Sequence, residues 1–348
     1  MAVRQLLTAF VAFTTLHSAN GIPTRSPLNQ RDDSYEVGYI NVSVSTLWTN
    51  SGKPRAVDAP AISSPVEIQQ WLDAMTEDEF RDLTDSSRTQ TQSLYGSRVY
   101  ILDKTSEDGW YQIALPDQPT PKEELGYPAW VPSSQVFIEK GHRYGALQEH
   151  RPFAQVTGGQ TVALYKDSKL SKKVLDISFD TRLPVVSRHG KAVRVAVPGS
   201  SDAYLSASDV TIYGEREDIP KPTGSDLVET GKGFIGRPYL WGGASGWAVD
   251  CSGFTHTVYD SHGITIPRDS GPQAYMEGYG QTPVEKADLV AGDLIFYASN
   301  LTNPKSIYHV AMYAGEGNML ESYKAGVPVR LTTARFDDNY WGAVRIIH

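Results

Sequence analysis

The sequence predicts a multidomain chain: two small all-β blocks, then an α+β domain built on an antiparallel sheet. Three observations carry this. The 348 residues suffice for two or three domains at ~150 residues each. Two stretches, from Val37 to about Glu139 and from about Phe153 to Tyr213, hold short alternating runs between turns, as small barrels or sandwiches do. Beyond Gly214 the texture changes to helical segments followed by several strand-like runs, which suggests an α+β fold.

The elements follow in order. Arg4, the apolar run LLTAFVAFTTL at 6–16, and Ala19 and Gly21 read as a cleaved signal peptide over residues 1–21, too short in its apolar part to span a bilayer. Residues 22–35 form a linker or pro-segment, and residues 36–140 form the first block. Its strand candidates are 37–48, 97–104, 109–115 and 129–138, and residues 65–83 interrupt them with a helical pattern that places Ile68, Leu72, Met75 and Phe80 on one face. The second block, residues 150–214, offers TVALYKD, TRLPVV, AVRVAV and AYLSASDVTIY as strands. The Pro-containing stretch 215–224 is a linker to the last domain, residues 225–348. There SDLVETGKGFIG and DCSGFTHTVYDSHG read as helices, the second with Phe254 and Val258 one turn apart and Gly263 as its stop. DLIFYA, HVAMYAG, NMLESY and WGAVRII follow as strands.

Composition narrows the function. A net charge of −8 without a Lys/Arg-rich run argues against nucleic acid or an anionic membrane as the main partner. No other stretch reaches the ~18 apolar residues of a membrane span, so a soluble, secreted protein is expected. Asn41 and Asn300 head glycosylation sequons. The chain has no HExxH, no cysteine cluster and no GxSxG, so neither a metal, another cofactor nor a serine nucleophile is expected.

The chain's one cysteine, Cys251, is either a reactive thiol or a buried small hydrophobe. It directly follows Asp250, a preferred helix N-cap, at a helix N-terminus that lowers a thiol pKa. Such a nucleophile needs a base and a group to orient that base. His256 lies about 140° round the helix from Cys251. His309 opens an apolar strand, and Glu321 in the next strand can reach it across a tight turn, with the imidazole Nδ1–H as the expected partner. A satisfied core histidine and a solvent-facing glutamate are the plain alternatives.

Tyr-x-Trp-Gly-Gly, Asp-Cys-Ser-Gly, Pro-Arg-Asp-Ser, Gly-Asp-Leu and the His-Val strand occur in order over 225–348. This domain resembles the NlpC class of papain-like cysteine peptidases that cut cell-wall peptides. The upstream blocks, through VSTLWT, SLYG, DQPTP and GYPAWVP, resemble the two bacterial SH3-type barrels of γ-D-glutamyl-L-diamino-acid endopeptidases. The resemblance implies Cys251 as nucleophile, His309 as base and Glu321 as the third residue. It implies Tyr239 beside the nucleophile as an oxyanion donor, together with the Cys251 amide. Asp250 and Ser252 match positions that hold the free amino end of the peptide stem, and Trp241, Ser270 and Tyr127 match cleft-lining positions. Gln90 stands where the branch demanding a free amine carries glutamate, which weakens that demand.

The resulting expectation is a secreted cysteine endopeptidase that cuts the γ-D-glutamyl–diamino acid bond of short muropeptides and releases L-Ala-γ-D-Glu. A CHAP-type N-acetylmuramoyl-L-alanine amidase and a non-catalytic wall-binding protein are the rivals. Peptidoglycan peptides are the expected partners, and the protein is expected to be a monomer.

Overall fold

The computed structural model describes residues 35–104, 108–141, 143–150 and 152–348. The signal-peptide reading, and all but Tyr35 of the linker behind it, fall outside these residues.

The first block is a seven-stranded antiparallel sheet of β1 (Glu36–Ile40), β2 (Val44–Trp48), β3 (Thr89–Leu94), β4 (Arg98–Asp103), β5 (Trp110–Leu115), β6 (Tyr127–Pro132) and β7 (Val136–Ile138). Its order is β3-β2-β6-β5-β4-β1-β7. The run 37–48 therefore splits into two strands, and 129–138 belongs to two more. Between β2 and β3 lie α1 (Ala59–Ile62), α2 (Ile68–Ala74) and α3 (Glu77–Asp85). The helical pattern of 65–83 breaks in two because Thr76 starts a new helix, exchanging capping-box hydrogen bonds with Glu79. Ile68, Leu72 and Met75 are buried as expected, and so is Trp71, whose indole N–H donates to Asp58 at 2.8 Å.

A short helix, α4 (Arg143–His150), that no pattern announced leads into the second sheet. This sheet comprises β8 (Phe153–Val156), β9 (Thr161–Tyr165), β10 (Lys173–Ser178), β11 (Arg182–His189), β12 (Ala192–Val195), β13 (Ala203–Ser206) and β14 (Val210–Tyr213). The order β10-β9-β13-β12-β11-β8-β14 repeats that of the first sheet strand for strand. Four strand candidates thus become seven: AYLSASDVTIY divides at a turn, and β8 and β10 were not anticipated.

The third unit has α5 (Gly224–Lys232), α6 (Cys251–Ser261) and α7 (Ser270–Tyr275) against strands β15 (Thr282–Val284), β16 (Leu294–Ala298), β17 (Ile307–Gly315), β18 (Asn318–Glu321), β19 (Arg330–Thr333) and β20 (Tyr340–Arg345). Their order is β15-β20-β16-β17-β18-β19, antiparallel throughout. Phe254 and Val258 of α6 share one core with Phe296, Val310, Met312 and Leu320 of the sheet. Gly263, at φ +77° just past the helix, ends it in a conformation that side chains resist.

Ten of the eleven residues of α6 are buried, because the helix is covered on both sides. Behind it the second sheet supplies Arg182, which pairs with Asp180 at 2.9 Å and with Asp260 of α6 at 3.0 Å. Gln155 donates to the Ser261 carbonyl at 2.8 Å. In front, Trp48 and Trp71 of the first unit share a core with Leu240 and Trp247 of the loop before α6. Both β-sheets therefore brace the helix that begins with Cys251.

Arg182 stands between two buried carboxylates, and removing one partner of such a set strands charge in the interior. Arg182→Ala should lower unfolding stability by about 3 kcal/mol, read as a loss of thermal midpoint. Arg182→Lys, which keeps the charge and loses the fork, should fall between the two.

Candidate active site

Asp250 is extended (φ −92°, ψ −174°), and its Oδ1 accepts the Gly253 amide at 2.6 Å. That N-cap starts α6 at Cys251, which is 5 % exposed. The glycine two residues on is needed for packing, since a Cβ at Gly253 would lie 2.0 Å from the Gly243 carbonyl oxygen. Gly242, at φ +82°, turns the preceding loop so that its amide donates to Asp250 Oδ2 at 2.8 Å. Tyr239, buried at the start of that loop, bridges to Val249.

His309 lies in β17 opposite Tyr297 of β16, and its ring stands 5.5 Å from those of Tyr297 and Tyr323. The carboxylate of Glu321, in the neighbouring strand, accepts from Nε2 at 3.0 Å. The sequence pointed to Nδ1 for this contact, and the structure uses the other nitrogen. Because an ionised carboxylate can only accept, the ring carries its proton on Nε2. Nδ1 is then the basic atom. Glu321 is itself gripped: Arg330, its register partner across β18 and β19, donates to Oε1 at 2.8 Å, and Arg335 reaches both oxygens at 2.8 and 2.9 Å.

Burial dominates the electrostatics. It pushes the Cys251 thiol up to about 12, the negative Asp250 adds to it, and the Val310 and Ser252 amides pull the other way without prevailing. The lowered thiol expected of a helix N-terminus is thus not found; desolvation of a nearly enclosed sulfur outweighs the helix end. Burial also lowers His309; Glu321 opposes this, and Arg335 and Arg330 reinforce it. Burial would raise Glu321, but its bonds to His309, Arg335 and Arg330 hold it well below the usual carboxylate range. At neutral pH the site therefore rests with a neutral thiol, a neutral imidazole and a fixed anion behind it. Tyr239 is raised by burial and by Cys251 and Asp250 near it, so its hydroxyl stays a proton donor.

The remaining sequence-chosen residues fall into two groups. Asp250 and Ser252 meet the guanidinium of Arg268, which is 1 % exposed and donates to both Asp250 oxygens at 3.0 and 2.8 Å and to Ser252 Oγ at 3.0 Å. With the Gly242 and Gly253 amides, the Asp250 carboxylate is fully used inside the protein. Gln90 and Tyr127 come together at a second place: Tyr127 is within 3.3 Å of Gln90 Oε1 and 3.0 Å of Asp269 Oδ1. Ser270 opens α7 beside Asp269, half-buried, and Trp241 packs against the core that contains Trp48 and Trp71 while its carbonyl accepts from Thr89 at 2.6 Å. His256 and His262 are held elsewhere, by the Ile266 carbonyl at 2.8 Å and by Thr230 at 2.9 Å.

Sequence reasoning missed Arg268, Asp269, Arg330, Arg335 and Lys122. Arg268 and Asp269 lay inside the Pro-Arg-Asp-Ser stretch, where a charged pair among apolar neighbours was the available signal. Arg330 could be found only by pairing RLTTAR against NMLE in register, and Lys122 sits in an ordinary surface turn.

The chain is similar to known proteins. The NlpC/P60 family matches residues 236–345, and the YKFC SH3b2 domain matches residues 159–213. A Bacillus cereus protein named gamma-D-glutamyl-L-lysine dipeptidyl-peptidase is 40% identical over 341 residues, covering 97% of this chain and 96% of its own. A protein of the same name from Bacillus subtilis is 34% identical over 293 residues, covering 84% and 91%. The crystal structure of an NlpC/P60 family protein from Bacillus cereus superposes with a TM-score of 0.82 at 40% identity, over 90% of this chain and 100% of that one.

Two measurements follow from the charges. With the thiol held at about 12, alkylation of the free protein by iodoacetamide should be slow at neutral pH and rise about tenfold per pH unit through pH 9; a plateau below pH 8 would contradict the buried neutral thiol. Arg335→Ala removes a positive charge that disfavours imidazolium, so the acid limb of kcat/KM should move to higher pH. Its plateau should drop by less than about tenfold, because Arg330 still holds Glu321.

Proposed function

Because the chain belongs to the NlpC/P60 family and is a hydrolytic cysteine peptidase, we propose that it cuts short peptidoglycan stem peptides after γ-D-glutamate, releasing L-Ala-γ-D-Glu. The observation that carries this reading is the Cys251 helix start packed under the strand that presents His309, with Glu321 3.0 Å behind the imidazole. The names of the two Bacillus relatives, alike over nearly the whole chain, support the choice of bond.

The chemistry begins from neutral groups. As the Cys251 sulfur adds to the isopeptide carbonyl, its proton passes to His309 Nδ1, so a free thiolate never has to persist in the dry site. Glu321 faces the imidazolium that forms and fixes its ring. The carbonyl oxygen becomes an oxyanion, within reach of the Tyr239 hydroxyl and the Cys251 amide. Collapse breaks the C–N bond, and His309 gives its proton to the departing amine. Water then adds to the thioester with His309 again as base, and Cys251 leaves with the proton. The two arginines keep Glu321 from becoming basic enough to hold His309 permanently charged. With residues 1–21 removed as a signal peptide, the enzyme works outside the cell.

Mass spectrometry of digests of a defined tripeptide stem tests this. Release of L-Ala-γ-D-Glu by the wild type and its loss by at least about a thousandfold in Cys251→Ala are expected. Free lactyl-sugar from a muramyl peptide would instead mark an amidase. Undiminished hydrolysis by Cys251→Ala would remove the thiol mechanism altogether.

A further inference from the structure

Where the first sheet meets the peptidase unit, the structure already holds an ammonium. Lys122, in the turn between β5 and β6, directs its three N–H bonds at three acceptors. They are Asp269 Oδ2 at 3.0 Å, Gln90 Oε1 at 3.4 Å and the Tyr127 hydroxyl, whose ring also lies 4.2 Å from Nζ. Gln90 and Tyr127 come from the first sheet and Asp269 from the peptidase unit, so the cradle spans their junction. It stands one residue from Arg268, which ties it to Asp250, the residue before Cys251.

Of the four side chains, Tyr127 is 1 % exposed, whereas Lys122 keeps 43 % and Asp269 32 % of their side-chain surface. Tyr127 is therefore fixed in the core, Gln90 and Asp269 are half-buried, and the lysine, the most exposed of the four, is the movable part. Exposed pairs of this kind are weak, so another ammonium can displace it. An enzyme that releases a dipeptide counts two residues from an amino terminus, and such a terminus is the same chemical group as the lysine head. Asp269 is the one carboxylate in the cradle, and Lys122 neutralises it where Gln90 adds no charge.

We propose that Lys122 is a specificity-determining residue, a resident cation that occupies the subsite for the substrate's amino terminus and so weakens discrimination between free-amino and acylated stem peptides. The inference rests on the peptidase reading above. A free amine must first displace the lysine, which raises its KM. An N-acylated stem gains nothing from Asp269 in either case and is penalised little by comparison.

The test measures kcat/KM for a tripeptide stem with a free and with an acetylated amino terminus, in wild type, Lys122→Ala, Lys122→Gln and the double variant Lys122→Ala/Asp269→Asn. In both single variants KM for the free stem should fall about tenfold with kcat little changed, so the preference for the free amine rises about tenfold. The double variant should lose that gain, since the carboxylate it depends on is gone. Hydrolysis with KM and preference unchanged within twofold in both single variants overturns this inference while leaving the peptidase reading intact. Failure of the wild type and all variants to cut either stem overturns the peptidase reading, and this one with it.

Discussion

The buried pair of Asp250 and Arg268 is the contact on which the rest of the site depends. Two charges at a combined exposure this low survive only if their remaining donors and acceptors are filled, and here they are. The carboxylate takes two loop and helix amides besides the guanidinium, and Arg268 also reaches Thr91 of the first sheet at 2.8 Å and the Gly243 carbonyl. One ion pair thus caps the helix of the nucleophile, closes the glycine loop that carries Tyr239 and docks a separate sheet against both. A carboxylate with that many duties is a poor candidate for gripping a substrate's amine. What it does hold is Arg268, and through it the position of Asp269 beside it.

The same need to keep charge out of a dry interior shapes the catalytic groups. Cys251 and His309 are almost fully enclosed, and desolvation favours the neutral form of each. Only Glu321 is kept charged, because three cationic or hydrogen-donating neighbours surround it. The permanent charge is thereby placed behind the base, where it stabilises the imidazolium only once the thiol proton has arrived. This arrangement favours the state that arises during reaction over the resting one, which is the condition for lowering a barrier rather than merely binding.

What could be read from the sequence follows the range of the interactions. The α5 and α6 helices, the start of α6 at Cys251, the four central strands of the last sheet and the contact of His309 with Glu321 all sit in segments whose patterns are local, and each was visible. The two β-blocks were recognisable as such but undercounted. Strands such as β10, with only its last two residues buried, carry no clean alternation, and a turn inside AYLSASDVTIY leaves its apolar spacing intact. The nitrogen that His309 offers to Glu321, the height of the thiol pKa and the second arginine on Glu321 depend on burial and on chain crossings that no linear pattern encodes. Asp250 is the instructive case: its role as helix cap was legible from position, and its saturation by Arg268 was not.

Chemistry and recognition accordingly have different origins in this chain. The reacting groups come from one contiguous unit, where an N-cap, a helix and a β-hairpin suffice to assemble them. The proposed recognition of the amine end is a junction property: Gln90, Lys122 and Tyr127 reach that place from the first sheet and Asp269 from the peptidase unit. Under that proposal a single charge change on the sheet side alters which peptides are accepted without moving a catalytic atom. Because Thr91, next to Gln90, is itself bonded to Arg268, the first sheet is held to the helix end that begins with Cys251.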